Sequence, residues 1–317
     1  MNSATLCRAL LACAVLIGSA ARGQQPESSA LNMQNLNFDT LAILTGGGGH
    51  TIMFSTETSV VVVDSKLPGL GPKVVEAAAT WTDNKPVTTL INTHAHPDHV
   101  GGNSAFAGKL EIVAHENTRA NMAKMEDFKG QNEKFLPNRT FRDKLSLAFG
   151  RDRVDMYYFG EGHTNGDAVV VFPAQRVAYF GDLFPGKMVP VVDVTQGGNL
   201  LTFPQTLQNA LGEIKGVGRV IPSHAPPPEG RRLHSQGRSW MSWADFQEYA
   251  SFMRDLVETV KQAHKAGKTV AQAVDVARTT LPQTYPGYDL AGADAAVRAT
   301  YDALSRTTQD SVPRPSR

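Results

Sequence analysis

Cysteine is nearly absent from this chain of 317 residues, and both examples, Cys7 and Cys13, lie in the apolar N-terminal segment. A mature protein that loses this segment has no disulfide, no thiol nucleophile and no thiolate metal ligand. The chain also has no run of basic residues and a formal net charge of only +1, so a nucleic-acid partner is not expected. Any metal site must therefore be built from histidine and carboxylate side chains.

Residues 1–23 have the composition of an export signal. Arg8 gives a weakly positive start, residues 9–20 form an apolar run, and Ala21 and Gly23 are the small residues typical of a cleavage site. The run is too short to span a bilayer as an ordinary helix, which disfavours the alternative of a retained membrane anchor. We expect export across the inner membrane, cleavage near Gly23 and a periplasmic mature protein without a stable anchor.

Four side chains that commonly bind metals occur within six residues, in the HAHPDH segment 94–99. An apolar, β-branched run before it predicts a buried strand, so the segment begins where that strand ends. Because alternate residues of an extended chain point the same way, His94 and His96 can face one site, while Asp98 and His99 can reach a second. Imidazole and carboxylate suit zinc and, less exclusively, iron or manganese. The alternative is a metal-free surface loop, in which these polar groups would compete for hydrogen bonds.

Further candidate ligands each follow a predicted strand. One histidine follows the strand 154–159, an aspartate follows the strand 177–180, and a second histidine follows the strand 219–221. Taken singly, each could be a capping or turn residue, but as an ordered set behind the segment 94–99 they indicate a two-metal site. These candidates are His163, Asp182 and His224.

The order of the predicted elements favours two packed β-sheets with helices on their outer faces, a four-layer αββα sandwich of the α+β class. We assign residues 24–305 to one domain that includes the C-terminal helices, and residues 306–317, which end in a proline-containing run, to a disordered tail. Residues 126–148 are polar and irregular in pattern, and they are a candidate lid or pocket wall. No feature of the sequence indicates an oligomeric state.

These motifs resemble those of the metallo-β-lactamase superfamily of metallohydrolases, in particular its exported bacterial members with an aspartate-bridged dinuclear site. The resemblance rests on the segment 94–99 and on the ordered residues behind it. It implies the metallo-β-lactamase fold and two Zn²⁺ ions per chain. The ligands that it implies are His94, His96 and His163 for the first metal, Asp98, His99 and His224 for the second, and Asp182 as a bridge between them.

The resemblance also implies a mechanism, while the substrate stays open. A hydroxide held between the two metals would attack an acyl carbon, and Asp98 would orient that hydroxide. Asp182 stands where metallo-β-lactamases of the first two subclasses have cysteine, so glyoxalase II, lactonases and related dinuclear hydrolases are the closer likeness. We therefore expect an exported zinc hydrolase that cleaves an ester, lactone or similar acyl bond of a small molecule. The alternatives are a β-lactamase, a mononuclear iron persulfide dioxygenase and a non-catalytic binding protein that kept the fold.

Several other side chains are candidates for supporting roles or substrate contacts. By the resemblance, Asp64 would support the ligand segment through hydrogen bonds, with a strand-end cap as the alternative, and Thr164 and Asp167 would act similarly. His50 follows a four-glycine turn and is a candidate substrate contact, with a solvated turn residue as the alternative. Lys187 is either an anchor for a substrate carboxylate or a solvated loop lysine. The remaining histidines receive no catalytic role: His115, His234 and His264.

Overall fold

The computed structural model describes residues 30–36, 40–106, 108, 110–224 and 239–310. The predicted export signal, residues 1–23, lies outside the described residues, and so do residues 311–317 of the predicted tail. Within the described part, two β-sheets pack face to face, and helices cover both outer faces. The predicted four-layer αββα arrangement is confirmed.

The first sheet has seven strands, which are ordered in space as they are in the chain. These strands are β1 (Asn32–Asn35), β2 (Leu41–Thr45), β3 (Thr51–Ser55), β4 (Val60–Val63), β5 (Val87–Ile91), β6 (Glu111–His115) and β7 (Arg139–Phe141). Strands β1 to β4 are antiparallel to their neighbours, whereas β4 to β7 are parallel. Because β4 and β5 are parallel, their carboxyl ends lie at the same edge of the sheet.

The second sheet has six strands in the order β13-β12-β11-β10-β9-β8. These strands are β8 (Lys144–Phe149), β9 (Asp152–Tyr158), β10 (Ala168–Phe172), β11 (Val177–Tyr179), β12 (Arg219–Ile221) and β13 (Met241–Ser242). Only one neighbouring pair, β11 and β12, is parallel. The carboxyl ends of these two strands therefore also lie together, and each is followed by a predicted ligand.

The described part of the chain contains seven α-helices. They are α1 (Gly71–Trp81), α2 (Pro97–Val100), α3 (Glu116–Met122), α4 (Phe203–Glu213), α5 (Trp243–Lys265), α6 (Val270–Thr284) and α7 (Ala293–Asp310). Helix α1 covers the outer face of the first sheet, α4 and α5 cover that of the second, and α6 and α7 pack against α5. Among the described residues, no helix combines the length and the apolar character needed to span a membrane.

The main core lies between the two sheets. Phe54 of β3 and Phe172 of β10 meet there with ring centroids 5.3 Å apart. Strand β4 consists of four valines that are all fully buried, because one face of the strand packs on the second sheet and the other on α1. A strand that is covered on both faces has a continuous apolar sequence instead of an alternating one.

The segment 126–148 is more regular than the sequence predicted. Its second half contains β7 and most of β8, which are edge strands of the two sheets. Burial in these two strands is confined to Phe141 in β7 and Leu147 in β8. Such half-exposed strands carry many polar residues, which obscured the strand pattern in the sequence.

The last helix is longer than predicted. Helix α7 continues to Asp310, beyond residue 306, where the disordered tail was expected to begin. Residues 293–310 contain neither glycine nor proline, so nothing in that stretch stops the helix.

Candidate metal centre

The predicted ligands converge at one edge of the sandwich, where strands from both sheets end. Asp64 follows β4, the segment 94–99 follows β5, Asp182 follows β11 and His224 follows β12. His163 lies in the connection between β9 and β10. The structure therefore brings together residues that are up to 130 positions apart, from His94 to His224.

The ligand atoms form two groups, and within each group they all lie within 4.8 Å of one another. The first group has three histidines and an aspartate, and the second has an aspartate and two histidines. The members are His94, His96, His163 and Asp182 in the first group, and Asp98, His99 and His224 in the second. All seven predicted ligands are thus placed in one of two neighbouring clusters.

In the first group, each imidazole uses one nitrogen to bind the surrounding protein. His94 Nδ1 lies 3.0 Å from Thr93 Oγ1, and His163 Nδ1 donates to the carbonyl of Val191 at 2.8 Å. His96 Nε2 donates to Asp193 Oδ2 at 2.9 Å. The other nitrogen of each ring is directed into the cluster, with its lone pair available as a metal ligand.

Asp193 is a supporting residue that the sequence analysis missed. Its Oδ2 holds His96, while its Oδ1 accepts from the backbone amides of Thr195 and Gln196 and from the Thr195 hydroxyl. Burial alone would raise the pKa of Asp193, but the hydrogen bonds from Thr195 and His96 lower it to about 2. The carboxylate therefore stays ionised and keeps the proton of His96 on Nε2. No local sequence signal links Asp193 with His96.

Asp64 holds the second group. Its Oδ2 accepts from His99 Nδ1 at 2.7 Å, from Thr93 Oγ1 at 2.8 Å and from Tyr179 Oη at 3.1 Å. Its Oδ1 accepts from the backbone amide of Thr93 at 2.8 Å. The backbone of Asp64 adopts φ of +61°, which is unusual for a residue other than glycine. Asp64 therefore orients His99 and fixes the start of the ligand segment, as a supporting residue would, and it is not an isolated strand-end cap.

Asp182 lies between the two groups. Its Oδ1 is 3.2 Å from His99 Nε2, and its Oδ2 is 3.5 Å from His163 Nε2, so the carboxylate faces both clusters. Burial opposes ionisation of Asp182, but the surrounding imidazoles, led by His224, hold its pKa well below the usual value. An ionised carboxylate at this position is placed to bridge two cations.

The four-glycine turn between β2 and β3 lies against the second group. The backbone amide of Gly49 donates to Asp98 Oδ2 at 3.0 Å. A Cβ atom on Gly48 would lie 2.4 Å from the Cβ of Asp98, and one on Gly49 would lie 2.2 Å from the ring of His99. Gly48 also has φ of +96°. Only glycine permits this close approach of the turn to the ligands.

Thr164 and Asp167 hold the loop that carries His163. Asp167 accepts from the Thr164 amide at 2.8 Å and from the Thr164 hydroxyl at 2.5 Å. Burial raises the pKa of Asp167 to about 7, although these hydrogen bonds oppose the rise. Both residues stabilise the backbone of the loop, so their support for the site is indirect.

His50 is fully buried, so the expectation of a solvated turn residue is wrong, and the ring has no exposed surface to offer a substrate. Its Nδ1 donates to the carbonyl of Pro222 at 2.7 Å, and its backbone amide donates to the carbonyl of Ser223 at 2.5 Å. These bonds join the glycine turn to the residues just before His224. Burial, followed by the charge of Lys66, lowers the pKa of His50 to about 3. His50 is therefore a neutral structural residue.

Lys187 is already paired with acidic residues of α5. Its ammonium lies 3.3 Å from Asp245 Oδ1 and 3.2 Å from Glu248 Oε2, and it also lies 5.8 Å from the ring centroid of Tyr288. This arrangement differs from both predictions, a substrate anchor and a solvated lysine. Lys187 instead connects the loop after Asp182 to the C-terminal helices.

Two other histidines, His115 and His264, belong to neither cluster. His115 caps α3 by accepting from the amide of Asn117 and stacks on Tyr158 at 3.9 Å between centroids. His264 packs edge-on against Tyr301 at 4.9 Å. His234 lies outside the described residues.

The donor set fits a pair of divalent cations. The Nε2 atom of His94 is buried and has no hydrogen-bond partner among the described residues, and that of His99 faces the Asp182 carboxylate at 3.2 Å. His96 Nδ1 and His163 Nε2 approach to 2.9 Å, although the outer contacts of both rings place their protons on the opposite nitrogens. Two lone pairs at this distance repel each other unless they share a cation. Imidazoles and carboxylates at such spacing are typical zinc ligands.

Comparison with known proteins agrees with this geometry. The sequence profile of the Metallo-beta-lactamase superfamily matches residues 44–224. The "Metallo-beta-lactamase type 2" of Bacillus sp. (strain 170) is 27% identical over 190 residues, which cover 58% of this chain and 70% of that protein. The chain therefore belongs to the metallo-β-lactamase superfamily, as its motifs predicted. It is a hydrolase of this superfamily with a histidine and aspartate cluster for metal binding.

Solved structures share the fold. The metallo-beta-lactamase from Pontibacter korlensis aligns with a TM-score of 0.58 at 22% identity, covering 71% of this chain and 99% of that one. The sec-alkyl sulfatase PisA1, solved as a double mutant, aligns with a TM-score of 0.68 at 11% identity, covering 90% of this chain and 52% of that one. At these identities the alignments support the fold and not a shared substrate.

Proposed function

We propose that the protein is a dinuclear zinc hydrolase that cleaves an ester, lactone or similar acyl bond of a small molecule. The observation that carries this proposal is the set of inward imidazole nitrogens arranged around the Asp182 carboxylate. A bound pair of zinc ions would polarise an acyl carbonyl and lower the pKa of water, so that no protein nucleophile is required. The absence of cysteine outside residues 1–23 is consistent with this chemistry.

The protein's own residues define the open side of the centre. The side chains of His94, His99 and His163 are buried, whereas those of His96, Asp98 and His224 are 19%, 24% and 27% exposed. A substrate therefore reaches the centre from the side on which His96, Asp98 and His224 are exposed. With Oδ2 held by the Gly49 amide, the Asp98 carboxylate is oriented to accept a hydrogen bond from the attacking water.

Asp182 favours an acyl hydrolase over a β-lactamase in this proposal. Metallo-β-lactamases of the first two subclasses have cysteine at this position, and this chain has a carboxylate. β-Lactam hydrolysis is nevertheless the second candidate, since several relatives are named "Metallo-beta-lactamase type 2". Export to the periplasm, directed by residues 1–23, is part of the same proposal and makes an extracytoplasmic substrate the expected one.

The test measures metal content and activity on one purified sample. We expect about two zinc ions per chain, and turnover of a simple lactone or aryl ester that a chelator abolishes. Turnover of nitrocefin in place of these substrates would select the β-lactamase. One iron and no zinc would contradict the hydrolase and favour the dioxygenase, whereas no metal and no turnover would favour the binding protein.

Two variants test the ligand assignment. His96→Ala should lose the first metal and nearly all activity, and Asp182→Ala should weaken both metals, because its carboxylate faces both clusters. His264→Ala is the matched control, because His264 lies on α5 and packs edge-on against Tyr301 instead of joining either ligand group. Full metal content and full activity in either ligand variant would refute the assignment.

N-terminal sequencing of the protein from a periplasmic fraction tests the predicted cleavage near Gly23.

A further inference from the structure

Lys66 is a buried cation that belongs to neither ligand group. Its side chain has no exposed surface, although lysine is among the residues that are least often buried. Its backbone has φ of +74°, in the left-handed region that residues other than glycine rarely adopt. A buried ammonium and a strained backbone at one residue indicate that the surrounding structure requires both.

The ammonium of Lys66 joins the two ends of the glycine turn 46–49. Its Nζ donates to the carbonyl of Leu44, near the end of β2, at 2.7 Å. It also donates to the carbonyl of Gly49, just before β3, at 2.5 Å. A turn of four glycines has high conformational freedom, so two charge-assisted hydrogen bonds to its ends restrict it strongly.

The same turn contacts the second ligand group. The Gly49 amide donates to Asp98 Oδ2, and Gly48 lies so close to Asp98 that a Cβ there would clash. The backbone of Lys66 also bonds to the chain just after α2, because its carbonyl accepts from the amide of Gly102 at 3.1 Å. Lys66 thus connects the turn with the segment that carries the ligands.

We propose that Lys66 is a positioning residue, which holds the glycine turn against Asp98 and thereby sets the affinity of the second metal group. The inference rests on the proposed dinuclear site. The Lys66 ammonium donates to backbone carbonyls at the two ends of the turn. It acts through the Gly49 peptide, whose position decides whether Asp98 Oδ2 receives its hydrogen bond.

The test compares zinc affinities of Lys66→Met and a matched control, Lys85→Met. Lys85 also donates to backbone and hydroxyl oxygens of the first sheet, at Thr56 and Ser55, but at the opposite end of β3. In Lys66→Met we expect the affinity for the second zinc to fall by about 10–100-fold, as for other residues that orient metal ligands, while the first zinc is retained. Lys85→Met should bind both as the wild type does.

Three outcomes would overturn the proposal. They are unchanged binding of the second zinc in folded Lys66→Met, equal weakening of both zinc ions, and the same loss in Lys85→Met. If the wild-type protein itself binds fewer than two zinc ions, the dinuclear site has failed, and the amide-exchange measurement below still decides the role of Lys66.

A second measurement does not depend on the folding of Lys66→Met. Amide hydrogen exchange of the wild-type protein, zinc-loaded and after chelator treatment, should show the Gly49 amide protected in both states, because Lys66 holds the turn without metal. Lys66→Gln, which keeps a shorter neutral donor, should show faster Gly49 exchange while amides of β3 stay protected. An unprotected Gly49 amide in the chelator-treated wild type would refute the proposal.

Discussion

The neutral state of buried His50 predicts how the stability of the protein depends on pH. The ring is fully buried, and its pKa is lowered from 6.5 to about 3, first by burial and then by Lys66. In the unfolded chain the same ring titrates near its ordinary value. Between these two pKa values the unfolded state binds one more proton than the native state, so the free energy of unfolding decreases as the pH is lowered.

The size of the effect follows from the two pKa values. From about pH 7.5 to about pH 5, protonation of His50 in the unfolded chain alone should lower the free energy of unfolding by about 2 kcal/mol. Acidification to the native pKa would extend the loss to about 4–5 kcal/mol. The stability that His50 contributes by staying neutral is fully present above pH 6.5 and is lost towards the native pKa.

The assay is urea unfolding of chelator-treated wild type and His50→Asn at both pH values. Asparagine retains a donor for the Pro222 carbonyl but does not titrate. The variant should be less stable at both pH values, because a buried ring is replaced by a smaller group. Its loss between the two pH values should be smaller than that of the wild type by about 2 kcal/mol. Equal losses in the two proteins would refute the neutral, buried assignment of His50.

Other predictions concern the residues around the metal ligands. Asp193→Asn should weaken zinc binding by about 10–100-fold in a competition assay with a chromophoric chelator, because the charged partner of His96 Nε2 is lost; unchanged affinity would exclude this role. Gly49→Ala should lose bound metal, measured by elemental analysis, because its Cβ would meet the His99 ring, whereas Gly212→Ala on α4 has open space and should retain it. Lys187→Met should change the KM for an uncharged ester little and lower thermal stability slightly, and a large rise in KM would return Lys187 to the substrate site.

Local patterns predicted the candidate ligands because each of them follows the end of a strand. The buried run of β5 precedes the segment 94–99, and the short apolar strands β11 and β12 precede Asp182 and His224. Apolar runs, strand lengths and the residues that follow them are all visible within a few positions. Edge strands β7 and β8 were missed for the same reason, since half-exposed strands lack that apolar signal.

The residues that support the ligands could not be predicted in this way. Asp193 binds His96 across 97 positions, and His50 binds Pro222 across 172 positions. Lys66 and Lys187 appear in the sequence as ordinary loop lysines, yet one is buried under the glycine turn and the other is paired with α5. These contacts depend on how two sheets and the C-terminal helices pack, which no local pattern records.

The sequence by itself therefore determined the chemistry of the centre: histidine and carboxylate ligands, no thiolate, and a two-sheet fold that presents them at strand ends. Tertiary structure alone decided the orientation of those side chains and the environment of their neighbour His50. Burial and hydrogen bonds from distant residues direct the inner nitrogens of His94 and His99 into the centre and keep His50 neutral. Residue type is encoded at each position, whereas desolvation and hydrogen-bond geometry exist only once the two sheets have packed.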